Sequence, residues 1–211
     1  MFIQNRRTAL ALVLLAIGLI AVGGLIGGWL DGRLGDLQAA HIRAPINIFV
    51  DGSLQQTTID ERLRKATIVV QGTVGESLPG RWNTSTGSLP ANVTVQTMPS
   101  DTLIFTDTPI KVERVLKGSV ASDTVLVRTL GGAVDQDRME VEYAPELHPG
   151  KQVVLLLVPD DDSRTMNIGP EHYIVAFGFE GSYDVVGDQA VSRTHQLPLA
   201  DLQKLIRDNT R

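Results

Sequence analysis

The chain contains no cysteine, which removes disulfides, thiolate metal sites and cysteine nucleophiles together. This does not argue against export, because a domain of about 150 residues can bury a sufficient core without covalent bridges. Aromatic residues are scarce, at 5%, so a stacking platform for single-stranded nucleic acid has little to be built from. Positive charge is in deficit: 19 Lys and Arg against 24 Asp and Glu give -5, and setting aside Arg6 and Arg7 leaves 17 against 24, or -7. That sign disfavours nucleic acid and anionic lipid as main partners, so no nucleic acid is expected. A GxSxG elbow, an SxxK pair, a P-loop and a dinucleotide-binding glycine pattern are missing as well. No catalytic, cofactor-binding or metal-binding residue is assigned from the sequence, and the chain is read as not an enzyme.

What is present first is a run of 23 uncharged residues from Thr8 to Leu30. As a helix it spans roughly 34 Å, slightly more than the hydrocarbon core of a bilayer at about 30 Å. A buried core helix of that length would carry a polar stripe, and this run has none. Arg6 and Arg7 precede it, and no excess of positive charge follows it, which predicts a cytoplasmic N-terminus and an extracytoplasmic C-terminal domain at the cell membrane. Cleavage as a signal peptide is the rival reading; the run exceeds the usual apolar region of about 7 to 15 residues and no small-x-small site closes it. Asn5-Arg6-Arg7-Thr8 also invites comparison with a twin-arginine signal, from which the following residues depart. Gly23 with Gly27 and Gly24 with Gly28 form two overlapping GxxxG pairs, a face for close helix association, although glycine is common in membrane helices. Trp29 sits where an interface anchor belongs. The expected organisation is a cytoplasmic tail over 1–7, a transmembrane helix over 8–30, a spacer over 31–45 and a β-rich domain over 46–211.

Within that domain a strand is expected over Ile46 to Val50. Thr58 with Glu61 then makes a capping box for a short helix through Lys65. Alternation of Ile68, Val70 and Val74 with polar neighbours marks a strand over 66–74. Residues 75–100 read as a long loop or a poorly ordered hairpin, pinned to the body by Trp82. A strand over 102–116 loses its alternation at Arg114, and a bulge near Glu113 and Arg114 would restore it. Further strands are expected over 124–129, 138–143 and 152–158, the last continuously apolar and hence central, followed by a pair of strands at 172–179 and 182–186, with Gly187-Asp188 closing the last hairpin. Leu199, Leu202, Leu205 and Ile206 give the stripe of a C-terminal helix over 199–208. The fold class is therefore mainly β: an N-terminal transmembrane helix, then a small antiparallel β-barrel with a short helix before it and a helix after it.

The short helix, the 66–74 strand, the long loop, the strand ending Ile110-Lys111-Val112-Glu113-Arg114-Val115-Leu116-Lys117-Gly118, and Pro149-Gly150-Lys151 before an apolar strand resemble a group of bacterial exported or membrane-anchored domains. These domains, without assigned function, share an OB-like barrel with the netrin-like and tissue-inhibitor-of-metalloproteinase domains. The likeness covers about residues 57–186, and its motifs are structural. Inhibitors of that type chelate zinc through an exposed N-terminal cysteine. This chain has no cysteine and an N-terminus expected in the cytoplasm, so the resemblance implies the barrel and not that mechanism.

Four histidines, His41, His148, His172 and His195, show no metal-binding spacing and are expected to face solvent or to be hydrogen-bonded. Asp160, Asp161 and Asp162 lack the spaced ligands of a calcium loop and read as a solvated turn. Glu140 and Glu142 share the wet face of a strand, with no reason to act as an acid and base pair. Asn83-Thr84-Ser85 and Asn92-Val93-Thr94 match glycosylation acceptors, relevant only in a eukaryotic host. The functional expectation is a non-catalytic, single-pass, membrane-anchored module that binds a protein, or an accessory subunit of an envelope or membrane complex, with a partner or a homo-oligomer made through the transmembrane helix. The alternatives are an envelope hydrolase assembled around His148 or His172 with nearby carboxylates, and a metal or small-ligand sensor.

Overall fold

The computed structural model describes residues 43–210. The apolar run at 8–30, with Arg6, Arg7, Gly23, Gly24, Gly27, Gly28 and Trp29, lies outside them. Among the described residues no helix is long and apolar enough to cross a membrane.

Twelve strands and two helices follow in chain order: β1 (Asn47–Val50), α1 (Ile59–Lys65), β2 (Ile68–Val74), β3 (Arg81–Trp82), β4 (Ile104–Lys117), β5 (Thr124–Leu130), β6 (Gly132–Val134), β7 (Asp137–Val141), β8 (Gln152–Pro159), β9 (Tyr173–Val175), β10 (Ser182–Val186), β11 (Gln189–Val191), β12 (Gln196–Pro198) and α2 (Leu199–Asp208), with a 3-10 turn at Gly178–Gly181. Five strands close a barrel in the order β2-β4-β5-β9-β8 and back to β2, with β5 and β9 parallel. Numbered along the chain these are strands 1-2-3-5-4-1, an arrangement consistent with an OB-like barrel.

The continuous apolar run of β8 is explained by two cores. Val153, Leu155 and Leu157 point into the barrel beside Val70, Ile110 and Val127. Val154 and Leu156 point outward and pack with Val69 against Leu63 of α1 and Leu202 and Ile206 of α2. A strand buried on both faces has no wet side to alternate with. Helix α1 starts where its capping box predicts: the Glu61 amide donates to Thr58 Oγ1 at 3.3 Å, and the Thr58 amide donates to Glu61 Oε2 at 2.9 Å.

The pairing of β2 with β4 skips Glu113 opposite Gln71 and Gly72, and skips Leu116 opposite Val69 and Val70. The first irregularity is the bulge expected from the broken alternation at Arg114; the second is an addition. Together they bend the long strand around the barrel. Gly72 lies where this bend brings the two backbones together, and a Cβ there would collide with the Lys111 carbonyl oxygen.

A second sheet, ordered β1-β7-β6 with β1 parallel to β7, covers the outer face of β4 and β5. Trp82 is fully buried between the two layers with Ile46, Leu103, Phe105 and Met139. Its indole N–H donates to Asp137 Oδ2 at 3.2 Å, while the Ile46 amide donates to Asp137 Oδ1 at 2.9 Å. Trp82 thus pins the long loop to the body, as expected of a lone aromatic there. The outer face of the second and third barrel strands is the one through which OB barrels take oligonucleotides and sugars; near Phe105 the chain fills it with its own residues.

The pair of strands expected at 172–179 and 182–186 is shorter and pairs differently, while Gly187-Asp188 closes the hairpin of β10 with β11 as expected. Strand β9 has only three residues and pairs with β5 and β8, whereas β10 pairs with β8 and β11. Phe177, at φ 62° and ψ 30°, turns the chain into the 3-10 segment and ends the strand early. Two adjacent apolar runs do not reveal that both pair with the same third strand.

Candidate functional site

Each charged side chain on the walls of the barrel is placed by strand alternation. In β5, Val125 and Val127 point inward, so Arg128 points outward, where Asp107 of β4 lies directly opposite. Both are buried. Arg128 Nε donates to Asp107 Oδ1 and Nη2 to Oδ2, each at 2.7 Å, a bidentate charge-assisted pair. The guanidinium also stacks on the Phe105 ring at 3.9 Å, and Nη1 donates to the Thr165 carbonyl at 2.8 Å.

That last bond carries the network into the segment joining β8 to β9. Thr165 Oγ1 donates to Asp160 Oδ2 at 2.8 Å, and His172 Nε2 lies 2.9 Å from the same oxygen. His172 Nδ1 faces the Pro170 carbonyl at 2.8 Å. A carbonyl only accepts, so Nδ1 carries the hydrogen of that contact. Both side chains are almost completely buried, at 3% and 2% exposure. Asp162 forms its own fork with Arg164, Nη2 to Oδ2 at 2.6 Å. The Arg164 hydrogen bond beside it holds the Asp162 carboxyl below the usual carboxylate range, against the opposing effect of burial.

Above this network opens a cleft of about 300 Å³. Arg128, Asp160, Asp162 and Thr165 line one end, and Leu54, Leu130, Tyr143, Pro145, Ile174 and Phe177 form much of its apolar wall. Phe177 is one of two non-glycine residues at positive φ among those described. Three cations clamp its segment in place: Lys65 lies over the Phe177 ring at 5.5 Å, Arg193 over the Phe179 ring at 4.8 Å, and Arg62 Nη1 donates to the Glu180 carboxylate and, at 3.1 Å, to its carbonyl. The Phe179 amide donates to the Tyr143 carbonyl at 3.0 Å, tying the segment to the opposite wall. A left-handed aromatic held by so many contacts is the type of over-determined strain that collects at ligand sites.

The expected solvated turn at 160–162 is therefore corrected in one residue. Asp161 is exposed, but the Asp160 side chain is the buried hub between Thr165 and His172. His148, 59% exposed, lies 3.3 Å from Glu146 and lines a different, more polar cleft of about 370 Å³. His148 and His172 thus line separate clefts. Both ring nitrogens of His172 are committed to internal partners, so neither is free to take a proton from a substrate. The His195 ring is exposed and its Nδ1 lies 2.7 Å from the hydroxyl of the neighbouring Thr194, and His41 lies outside the described residues. Glu140 is exposed on β7, as expected. No three His, Cys, Asp or Glu side chains converge as metal ligands among the described residues.

Sequence reasoning did not single out Arg128, Asp107, Thr165 or Phe177. A signal for the first two existed: Arg128 is the one charge in β5, and Asp107 carries the opposite charge in the preceding strand, which a hairpin brings alongside. A scan against protein-family models finds no match, and a search of the curated proteins finds none either.

Proposed function

We propose that this chain is a non-catalytic, membrane-tethered domain working outside the cytoplasm, as a protein-interaction module or as an accessory subunit of an envelope or membrane complex. The observation that carries the reading is the chemistry of the cleft. Its apolar wall is open, while the charges at its end are engaged with one another, Arg128 with Asp107, Asp160 with His172 and Asp162 with Arg164. Such a site offers desolvation energy to an uncharged group, the anchor side chain of a partner, and little to a polar reaction. The uncharged run at 8–30 behind Arg6 and Arg7 supports the tether, and the closed five-strand barrel supports kinship with the exported OB-like domains.

Crosslinking the intact chain in its native membrane, followed by mass spectrometry, tests the proposal. Recovery of a stoichiometric partner that is lost in Leu54→Glu is the supporting result. A clean monomer without any partner overturns it.

A further inference from the structure

Among the described residues strand β1 is an open edge. The Arg138 amide donates to the Ile46 carbonyl, and the Glu142 amide to that of Val50, so residues of that parity face β7. The backbone groups of Asn47 and Phe49 therefore face away from the sheet. The opposite edge, β6, is covered, because the Gly80 backbone lies against the Ala133 carbonyl. Beside the free edge stands Phe49, 66% exposed, the most exposed of the large apolar residues described. An uncovered edge carrying an aromatic, with neither proline nor lysine to block pairing, is a template for another strand.

We propose that the strand it takes is β1 of a second copy, paired antiparallel about a two-fold axis at Ile48; this rests on the membrane-tethered reading above. In that register Asn47 of each copy faces Phe49 of the other as a hydrogen-bonded pair, which satisfies all four free backbone groups at each edge. The two Phe49 rings become diagonal neighbours, within reach of one another. Charge fits the same register. Arg138 lies beside Asn47, and Glu140 beside Phe49, so each row across the joined sheet carries one Arg and one Glu at its ends and never two like charges. The tether permits it as well: 16 residues separate Leu30 from Asn47, a reach of at most about 55 Å. Anchors that associate as the GxxxG pairs of Gly23, Gly24, Gly27 and Gly28 predict would raise the effective concentration of one β1 edge near the other.

The test uses the full chain in its own membrane, and the absence of native cysteine makes it clean. Ile48→Cys places the two sulfurs on a non-hydrogen-bonded pair, with Cα atoms about 4.5 Å apart and within disulfide range. Mild oxidation is expected to convert most of the chain into a covalent dimer, while Ala121→Cys, exposed in the turn between β4 and β5, stays monomeric. Phe49→Lys in the otherwise native chain is expected to weaken the dimer by at least about tenfold, as read by native mass spectrometry. A chain that withstands alkaline extraction from the membrane, yet forms no disulfide as Ile48→Cys and is insensitive to Phe49→Lys, overturns the dimer and leaves the tether standing; Phe49 is then covered by another protein, by lipid or by residues 31–42. A chain released by alkaline extraction overturns the tether instead.

Discussion

Arg128 and Asp107 stand opposite each other on β5 and β4, joined by two hydrogen bonds of 2.7 Å and both buried. A buried pair of this kind is costly to break and less costly to remove whole. Arg128→Met leaves the Asp107 carboxylate without its partner and is expected to lower stability by about 3–5 kcal/mol. Asp107→Leu combined with Arg128→Met is expected to recover most of that loss. Urea unfolding of the solubilised chain, followed through Trp82, measures both.

His172 and Asp160 hold the segment between β8 and β9 without any ladder of their own. His172→Phe removes the imidazole from between Pro170 and Asp160. Amide exchange is expected to accelerate at Thr165, Met166 and Ile168, which bond within that segment, while β2 and β8 stay protected.

Acid acts on the same segment through Asp162. Its carboxyl is held low in the folded state by Arg164, so its contribution is present above the ordinary carboxylate value of about 3.9 and is lost as pH falls through the lower folded value. Exchange in residues 162–168 is expected to rise below about pH 4, ahead of global unfolding. Asp162→Asn should abolish that pH-dependent step.

Tyr183 is fully buried between the barrel and α2, and its hydroxyl has no hydrogen-bond partner among the described residues. Tyr183→Phe removes an unsatisfied polar group at nearly constant volume, and is expected to raise stability by about 1 kcal/mol. Burial raises the Tyr183 pKa above its ordinary value. The native protein therefore loses stability as pH climbs past about 10, where the unfolded phenol ionises and the buried one does not. The variant should show a flatter alkaline limb in thermal melts.

Gly72 marks the closest approach of β2 and β4. Gly72→Ala forces the Lys111 carbonyl aside and is expected to cost about 1–3 kcal/mol. Thermal unfolding checks it, with the solvent-facing Thr73→Ala as the mild comparison.

Features carried by a local pattern were legible in the sequence. Helix α2 spans the 199–208 stripe, α1 begins at its capping box, and β8 is central as its apolar run implies. Even the bulge at Glu113 shows as a lapse in alternation, because periodicity records which face of one strand is buried. Pairing is a different matter. That β9 runs parallel to β5, that β1 joins β7 from some ninety residues away, and that β10 prefers β8 are choices among several equally apolar partners.

The candidate site falls on the second side of that division. Alone, Asp160-Asp161-Asp162 reads as a turn bathed in water, and His172 as an isolated histidine. Closure of the barrel brings Thr165 and His172 to Asp160 and Arg128 to the Thr165 carbonyl, and the low-dielectric interior then demands that each charge find a partner.

The sequence by itself determined the absence of thiol chemistry, the acidic balance, the uncharged run that predicts an anchor, and the main helices and strands, since each depends on composition or on neighbours within a few residues. Only the tertiary structure decided the closed barrel, the covered outer face of β4 and β5, the paired charges under the cleft and the open edge of β1. These depend on contacts between residues far apart in the chain, and hydrophobic burial, being non-directional, does not encode in any one segment which other segment it will meet.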